Sequence, residues 1–294
     1  MKSFTEKTIK VTVYLREGEF GQGNNTVSYE GLPTQVHISK TGDKDGCKAE
    51  IIISNMKLDT ARQLTMLAFR KLQTYNNVIV IEAGTKGQKL NNVFQGEIVT
   101  AVPVIGDANL EFKIEAKCGY YPNLIPTPPV SVQGETTVEK LMMQFAKEAN
   151  YTLENRGITM SVSNSVFVGS PIQKAQQLAT QVGIDLLIDN GKMIIQPYEA
   201  QPKGTIPLIG KDSGLIGYPS YTNDGVECSA LYNPDFELGG YFELKTILPH
   251  ASGIWKIAKL EHKLSAYVPN GTEWETHLSG VWVQESKQET KNGE

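Results

Sequence analysis

A mainly β protein with a small α+β insertion is the fold class the sequence predicts, on three observations. Apolar and polar residues alternate with period two through most of the first 124 positions. The period becomes helical after a cluster of prolines, and period two returns from about Thr205. The expected division is a first β-domain over 1–124, a small α+β domain with its linkers over 125–204, a second β-domain over 205–284, and a tail over 285–294. That tail is charged and without aromatic residues, so it is expected to be disordered.

The first β-domain opens with Ile9, Val11, Val13 and Leu15 alternating with Thr8, Lys10, Thr12 and Tyr14. Glu50 to Ile53 reads as a core strand, and Leu58, Ala61, Leu64, Leu67 and Ala68 fall at helical spacing. Two long strands, Phe94 to Val102 and Leu110 to Cys118, are joined by a turn through Gly106-Asp107. In the second of them Phe112, Ile114, Ala116 and Cys118 alternate with Glu111, Lys113, Glu115 and Lys117. Four charges cannot be buried cheaply, so this side must face water or a charged partner. Glu111, Lys113, Glu115 and Lys117 are therefore the candidate functional face.

Pro122, Pro126, Pro128 and Pro129 remove backbone donors and mark the boundary. Beyond it, Thr136 and Glu139 have the spacing of a capping box, followed by the apolar stripe Val138, Leu141, Met142, Phe145, Ala146 and Ala149. Ser170, Pro171 and Gln173 repeat the device before Ala175, Leu178, Ala179 and Val182, with Gly183 as the stop. Asn190-Gly191 between two apolar runs signals a tight hairpin. In the second β-domain, Phe242, Leu244 and Leu248 alternate with polar neighbours, and Pro269-Asn270-Gly271 turns Trp255–Tyr267 back along Glu273–Val283.

The chemistry-bearing motifs are missing. The net charge of -4 argues against a duplex-binding domain. Cys47, Cys118 and Cys228 form no CxxC pair and read as reduced thiols. No apolar run has the length of a membrane span, and the first residues lack the apolar core of a signal peptide. Gly204 to Gly210-Lys211-Asp212 has five intervening residues where a phosphate loop has four, and ends in Asp. Gly21-Gln22-Gly23 lacks the third glycine of a dinucleotide fingerprint. Ser213 stands in no GxSxG elbow. His37, His250, His262 and His277 show no ligand spacing, and His262 falls among apolar residues as a core or interface histidine does. Glu273, Glu275 and His277 share a strand face that solvation alone explains. No enzyme activity, cofactor or metal is expected.

Two stretches carry a resemblance. Gly214 to Ser220, Gly225 to Pro234, Leu238 to Tyr241, Gly253 to Ile257 and Leu260 to Ser265 are similar to the closing domain of bacteriophage baseplate hub proteins. Gly31-Leu32-Pro33 through Ala49-Glu50-Ile51, with Phe94-Gln95-Gly96-Glu97-Ile98, resembles their first domain. The resemblance implies two tube-like β-barrel domains flanking the α+β domain, and a homotrimer that joins the hexameric tail tube to the central spike. It implies as partners the tail tube protein, the spike protein, other baseplate proteins and the tape-measure protein, with DNA only as cargo passing through the lumen and no membrane contact. The location implied is the virion's tail tip, after assembly in the host cytoplasm. The charged face on Glu111, Lys113, Glu115 and Lys117 would then line the lumen or a subunit contact. Two alternatives stand beside this reading: a carbohydrate- or receptor-binding β-sandwich, motivated by Trp255, Trp274 and Trp282, and a tail-associated peptidoglycan hydrolase.

Overall fold

Seven strands come from the first segment: β1 (Lys7–Tyr14), β2 (Thr26–Glu30), β3 (Thr34–Thr41), β4 (Lys48–Ser54), β5 (Val78–Thr85), β6 (Asn91–Ile105) and β7 (Leu110–Lys117). The computed structural model describes residues 5–16, 23–42, 46–57, 61–62, 64–65, 77–105, 110–198, 206–269, 271 and 273–282. Six strands come from the last segment: β15 (Leu208–Ile209), β16 (Leu215–Tyr221), β17 (Gly225–Leu231), β18 (Tyr241–Leu244), β19 (Gly253–Ala266) and β20 (Trp274–Trp282). All thirteen belong to one sheet, in the order β16-β17-β20-β19-β3-β4-β7-β6-β5-β1-β2, with β18 attached to β19 and β15 to β18.

This differs from two separate barrels. The sheet is open, from β16 at one end to β2 at the other, and no closed barrel forms among the described residues. The reason lies in β3. One of its edges pairs with β4 and the other with β19, over eight positions from Lys259↔Thr41 to Ala266↔Thr34. The strand that would close the first barrel is thus occupied by the second segment.

The two segments nonetheless share an arrangement. The order β3-β4-β7-β6-β5 recurs as β16-β17-β20-β19-β18. The long hairpin carries a bulge at the same place in each copy. Register shifts between Ile98 and Thr100 opposite Ala116 and Glu115, and between Ile257 and Lys259 opposite Gly280 and Ser279. Burial follows the same phase, with Ala49, Ile51 and Ile53 inward on β4 and Val226, Cys228 and Ala230 inward on β17. Ile79 and Ile81 of β5 correspond to Phe242 and Leu244 of β18. Gly280 takes the place of Ala116 because a Cβ there would meet the Phe242 and Trp255 side chains at 2.8 Å.

The apolar sides of these strands form one cluster that runs from Ile9 to Leu278. Burying such side chains contributes about 1.5–3 kcal/mol each, which fixes the register, because a one-residue slip would turn every one of them outward.

Between the segments lie α1 (Tyr120–Leu124), β8 (Thr127–Ser131), β9 (Glu135–Thr137), α2 (Val138–Glu148), β10 (Thr152–Asn155), β11 (Ser161–Ser163), β12 (Val166–Gly169), α3 (Pro171–Val182), β13 (Asp185–Asp189) and β14 (Lys192–Gln196). The stripes of α2 and α3 pack together in a second core with Phe167, Met193 and Ile195, where the Phe145 and Phe167 rings meet edge to face at 5.6 Å. Ser170, Pro171, Gln173 and Gly183 cap α3 as expected. Asn190 and Gly191 both take positive φ in the β13–β14 hairpin. The N-cap of α2 differs: Thr137 accepts from the Lys140 amide, because the β9 ladder runs on to Thr137, opposite Ser161, before the helix begins. Ala61 and Leu64 are buried, while Leu58, Leu67, Ala68, Gly106-Asp107, Asn270 and the tail lie outside the described residues.

Candidate assembly interface

The face expected from the sequence is a strand face in the structure. On β7, Lys113 and Glu115 are exposed and Glu111 and Lys117 half-buried, while Phe112, Ile114 and Ala116 point into the core. The face extends far beyond β7. Its cross-strand neighbours are Lys48 and Glu50 on β4, then His37 and Ser39 on β3, Lys259, Glu261 and Lys263 on β19, Glu275 and His277 on β20, and Glu227 on β17. Two pairings set like charges directly opposite one another, Lys48↔Lys117 and Glu50↔Glu115. Such pairs destabilise an isolated sheet, so this stretch is not optimised for the stability of a lone chain.

Across the β3–β19 joint the polar face is linked by His37 Nε2 to Glu261 at 3.5 Å, with Lys259 at 2.8 Å from the same carboxylate. The Lys259 hydrogen bond, set against some burial, holds Glu261 below the usual carboxylate range. Glu275 accepts from His277, whose other ring nitrogen meets the Ser229 hydroxyl at 2.7 Å. These contacts form a network on a wet surface, where Ser229, Lys259, Glu261 and His277 help to line an open depression of about 350 Å³. Beneath the joint, His262 is buried and bonded to Thr276 Oγ1 at 2.8 Å. Burial, reinforced by the charge of Lys40, pushes its pKa down to about 3, so the ring stays neutral and acts as packing.

Sequence reasoning missed the contacts that seat the α+β unit on the sheet. Lys40 of β3 reaches Asp189 of β13, 2.8 Å from Oδ1 and 2.9 Å from Oδ2, with both residues buried. Burial alone would lower the lysine pKa, but the Asp189 carboxylate and neighbouring groups outweigh it and hold it above 10.5. Tyr151 donates to Glu97 Oε1 at 2.8 Å and accepts from the Gly119 amide at 2.6 Å. Burial raises both groups, so Tyr151 stays a neutral donor. Lys256 pairs with Asp185, and Arg156 with Glu237. The unit therefore touches both segments without entering the strand path between them.

Cys47, Cys118 and Asp189 place three potential metal-ligand atoms within 4.8 Å of one another. They do not suit a cation. Lys40 already neutralises the carboxylate, and Cys118 donates to the Gln95 carbonyl at 3.2 Å. Its thiol is raised well above the ordinary value by its hydrogen bond with Cys47 and by burial, whereas metal binding requires a thiolate. A cleft of about 550 Å³ between the unit and the sheet is lined by Gly42, Leu187, Leu238 and the mutually neutralised Asp185 and Lys256. Trp255 is buried, with its indole donating to the Ala251 carbonyl, and its ring packs on Trp282 at 5.1 Å.

Two strand edges complete the description. The outer edge of β16 has no partner among the described residues, and Tyr218 and Tyr221 there are 81% and 54% exposed. On β6, β5 covers only Asn91 to Glu97, after which Ile98 donates to the Asn77 carbonyl. From Val99 to Ile105 that side of β6 has no strand partner among the described residues.

The fold is that of phage tail proteins. The tail protein from Neisseria meningitidis MC58 superposes with a TM-score of 0.62 at 10% identity, covering 93% of this chain and 96% of that one. The 43 kDa tail protein of prophage MuSo2 from Shewanella oneidensis gives 0.61 at 10% identity, covering 92% and 96%. A chain of the Francisella PdpA-VgrG complex, lidded, gives 0.55 at 7% identity, covering 94% of this chain and 53% of that one. No curated protein matches by sequence. Residues 8–268 match the model of the family described as "Baseplate hub gp41", and the chain belongs to that family. It is a structural component of a bacteriophage tail baseplate.

Proposed function

We propose that three copies of this chain form the ring that joins a hexameric tail tube to the central spike. The observation that carries this reading is the recurrence of β3-β4-β7-β6-β5 as β16-β17-β20-β19-β18 within one continuous sheet. A threefold assembly meets a sixfold tube without mismatch when every subunit offers two equivalent surfaces, and each chain here holds two copies of one strand arrangement. The mixed-charge face on Glu111, Lys113, Glu115 and Lys117 and its neighbours lines the lumen through which DNA passes. The opposite, apolar faces are covered by the chain itself. Other baseplate proteins and the tape-measure protein meet the outer and axial surfaces, and the ring resides at the tail tip of the virion.

Light scattering on the purified full chain, alone and with its spike protein, tests the stoichiometry. The expected mass is three times that of the 32.4 kDa chain. A strictly monomeric mass under both conditions would count decisively against the ring.

A further inference from the structure

The two segments of the chain are joined where β19 pairs with β3. On β19 the first positions pair with β18, and beyond the bulge the same side of the strand pairs with β3. On β6 the first positions pair with β5, and beyond the same bulge that side has no strand among the described residues. The counterpart of β3 in the second copy is β16, whose outer edge is likewise free. Among the described residues, the slot on β6 and the outer edge of β16 each match a half of a pairing the chain already makes internally, whereas the free outer edge of β2, at the other end of the sheet, has no such counterpart.

We infer that the ring proposed above closes by strand addition, with the end of β16 from one copy entering the slot on β6 of the next. The internal register fixes the pairs. Thr100 stands where Lys259 stands, opposite Glu115 and Ser279 respectively, so Val102 and Val104 correspond to Glu261 and Lys263. Glu50 and Glu227 hold the same place on β4 and β17, which makes Ser220 the counterpart of His37. Lys263 pairs with His37, so Val104 faces Ser220, and in sequence Pro103 faces Tyr221 and Val102 faces Thr222. Such a contact is heterologous, the kind that closes into rings. Pro103 offers no N–H to the ladder, and it keeps the free edge from pairing indiscriminately before assembly.

Paired cysteines test the register in the full-length chain. After mild oxidation, the V104C/S220C variant should run at two and three chain masses on a non-reducing gel. Each single variant, and the slipped pair V104C/Y221C whose side chains point to opposite faces, should stay at one. V102C/T222C is the second pair should the first misfold. Trimeric mass with no cross-link in either pair, or with equal cross-linking of the slipped pair, overturns the edge while leaving the ring standing. Monomeric mass overturns the ring and the edge with it.

Discussion

The Lys40–Asp189 pair should respond to single and double replacement in opposite ways. The two residues are 4% and 7% exposed and 2.8 Å apart. At an effective dielectric of about 20, their attraction is about 6 kcal/mol. Removing both charges from water costs several kcal/mol per ion, so the net value of the pair is close to zero. Deleting one partner leaves the other buried without compensation. Lys40→Met or Asp189→Leu alone should therefore cost about 3–5 kcal/mol, whereas the double variant should lie within about 1 kcal/mol of the parent or above it. Urea denaturation followed by circular dichroism measures all four states of this cycle. Equal losses that simply add in the double variant would refute the reasoning. The pH dependence has a definite sign. Because folding raises the lysine pKa, its contribution is fully present below 10.5 and disappears as the pH climbs through the higher folded value.

Two further outcomes follow from burial. Leu178→Ala removes a fully buried side chain from the α2–α3 core and should cost about 2–5 kcal/mol in the same assay, while a loss below about 0.5 kcal/mol would place the residue on a surface. His262 should show no imidazole titration by NMR between pH 5 and 8. Since folding lowers its pKa to about 3, stability should fall by up to about 1.4 kcal/mol per pH unit below the ordinary value of 6.5. A midpoint near 6.5 in the native protein would overturn the assignment.

Local features were legible in the sequence because local chemistry sets them. The Ser170 cap, the Asn190-Gly191 turn and the alternation along β7 each depend on a few adjacent residues, and each appears where its pattern placed it. The misplacement of the α2 cap by one residue came from the pairing with β11, which carries extended backbone one residue further, to Thr137. Strand β18 stops at Leu244, short of Leu248, because a turn closed by Ser252 on Thr246 takes over. Nothing local announces that β3 would pair with β19, or that Lys40 would find a partner 149 positions away. Such contacts are chosen by the assembled cores. The charged face was visible on β7, and Glu275 with His277 as a separate strand face, but that the two join across β4, β3 and β19 needed the strand order, which period-two alternation does not encode.

The mixed signs of that face carry a consequence for anything that slides along it. Glu111, Lys113, Glu115 and Lys117 sum to zero charge, as do Lys48 and Glu50 beside them. Proteins grip nucleic acid by displacing counterions with a surplus of lysine and arginine, and that grip grows with each phosphate neutralised. In the proposed ring, a bore with this surface would offer no such surplus. Glutamate and lysine alternate along β7, so attraction and repulsion for a phosphate largely cancel along the strand. In the ring proposed above, such a wall would give passing DNA little to settle on, as a bearing does for a shaft.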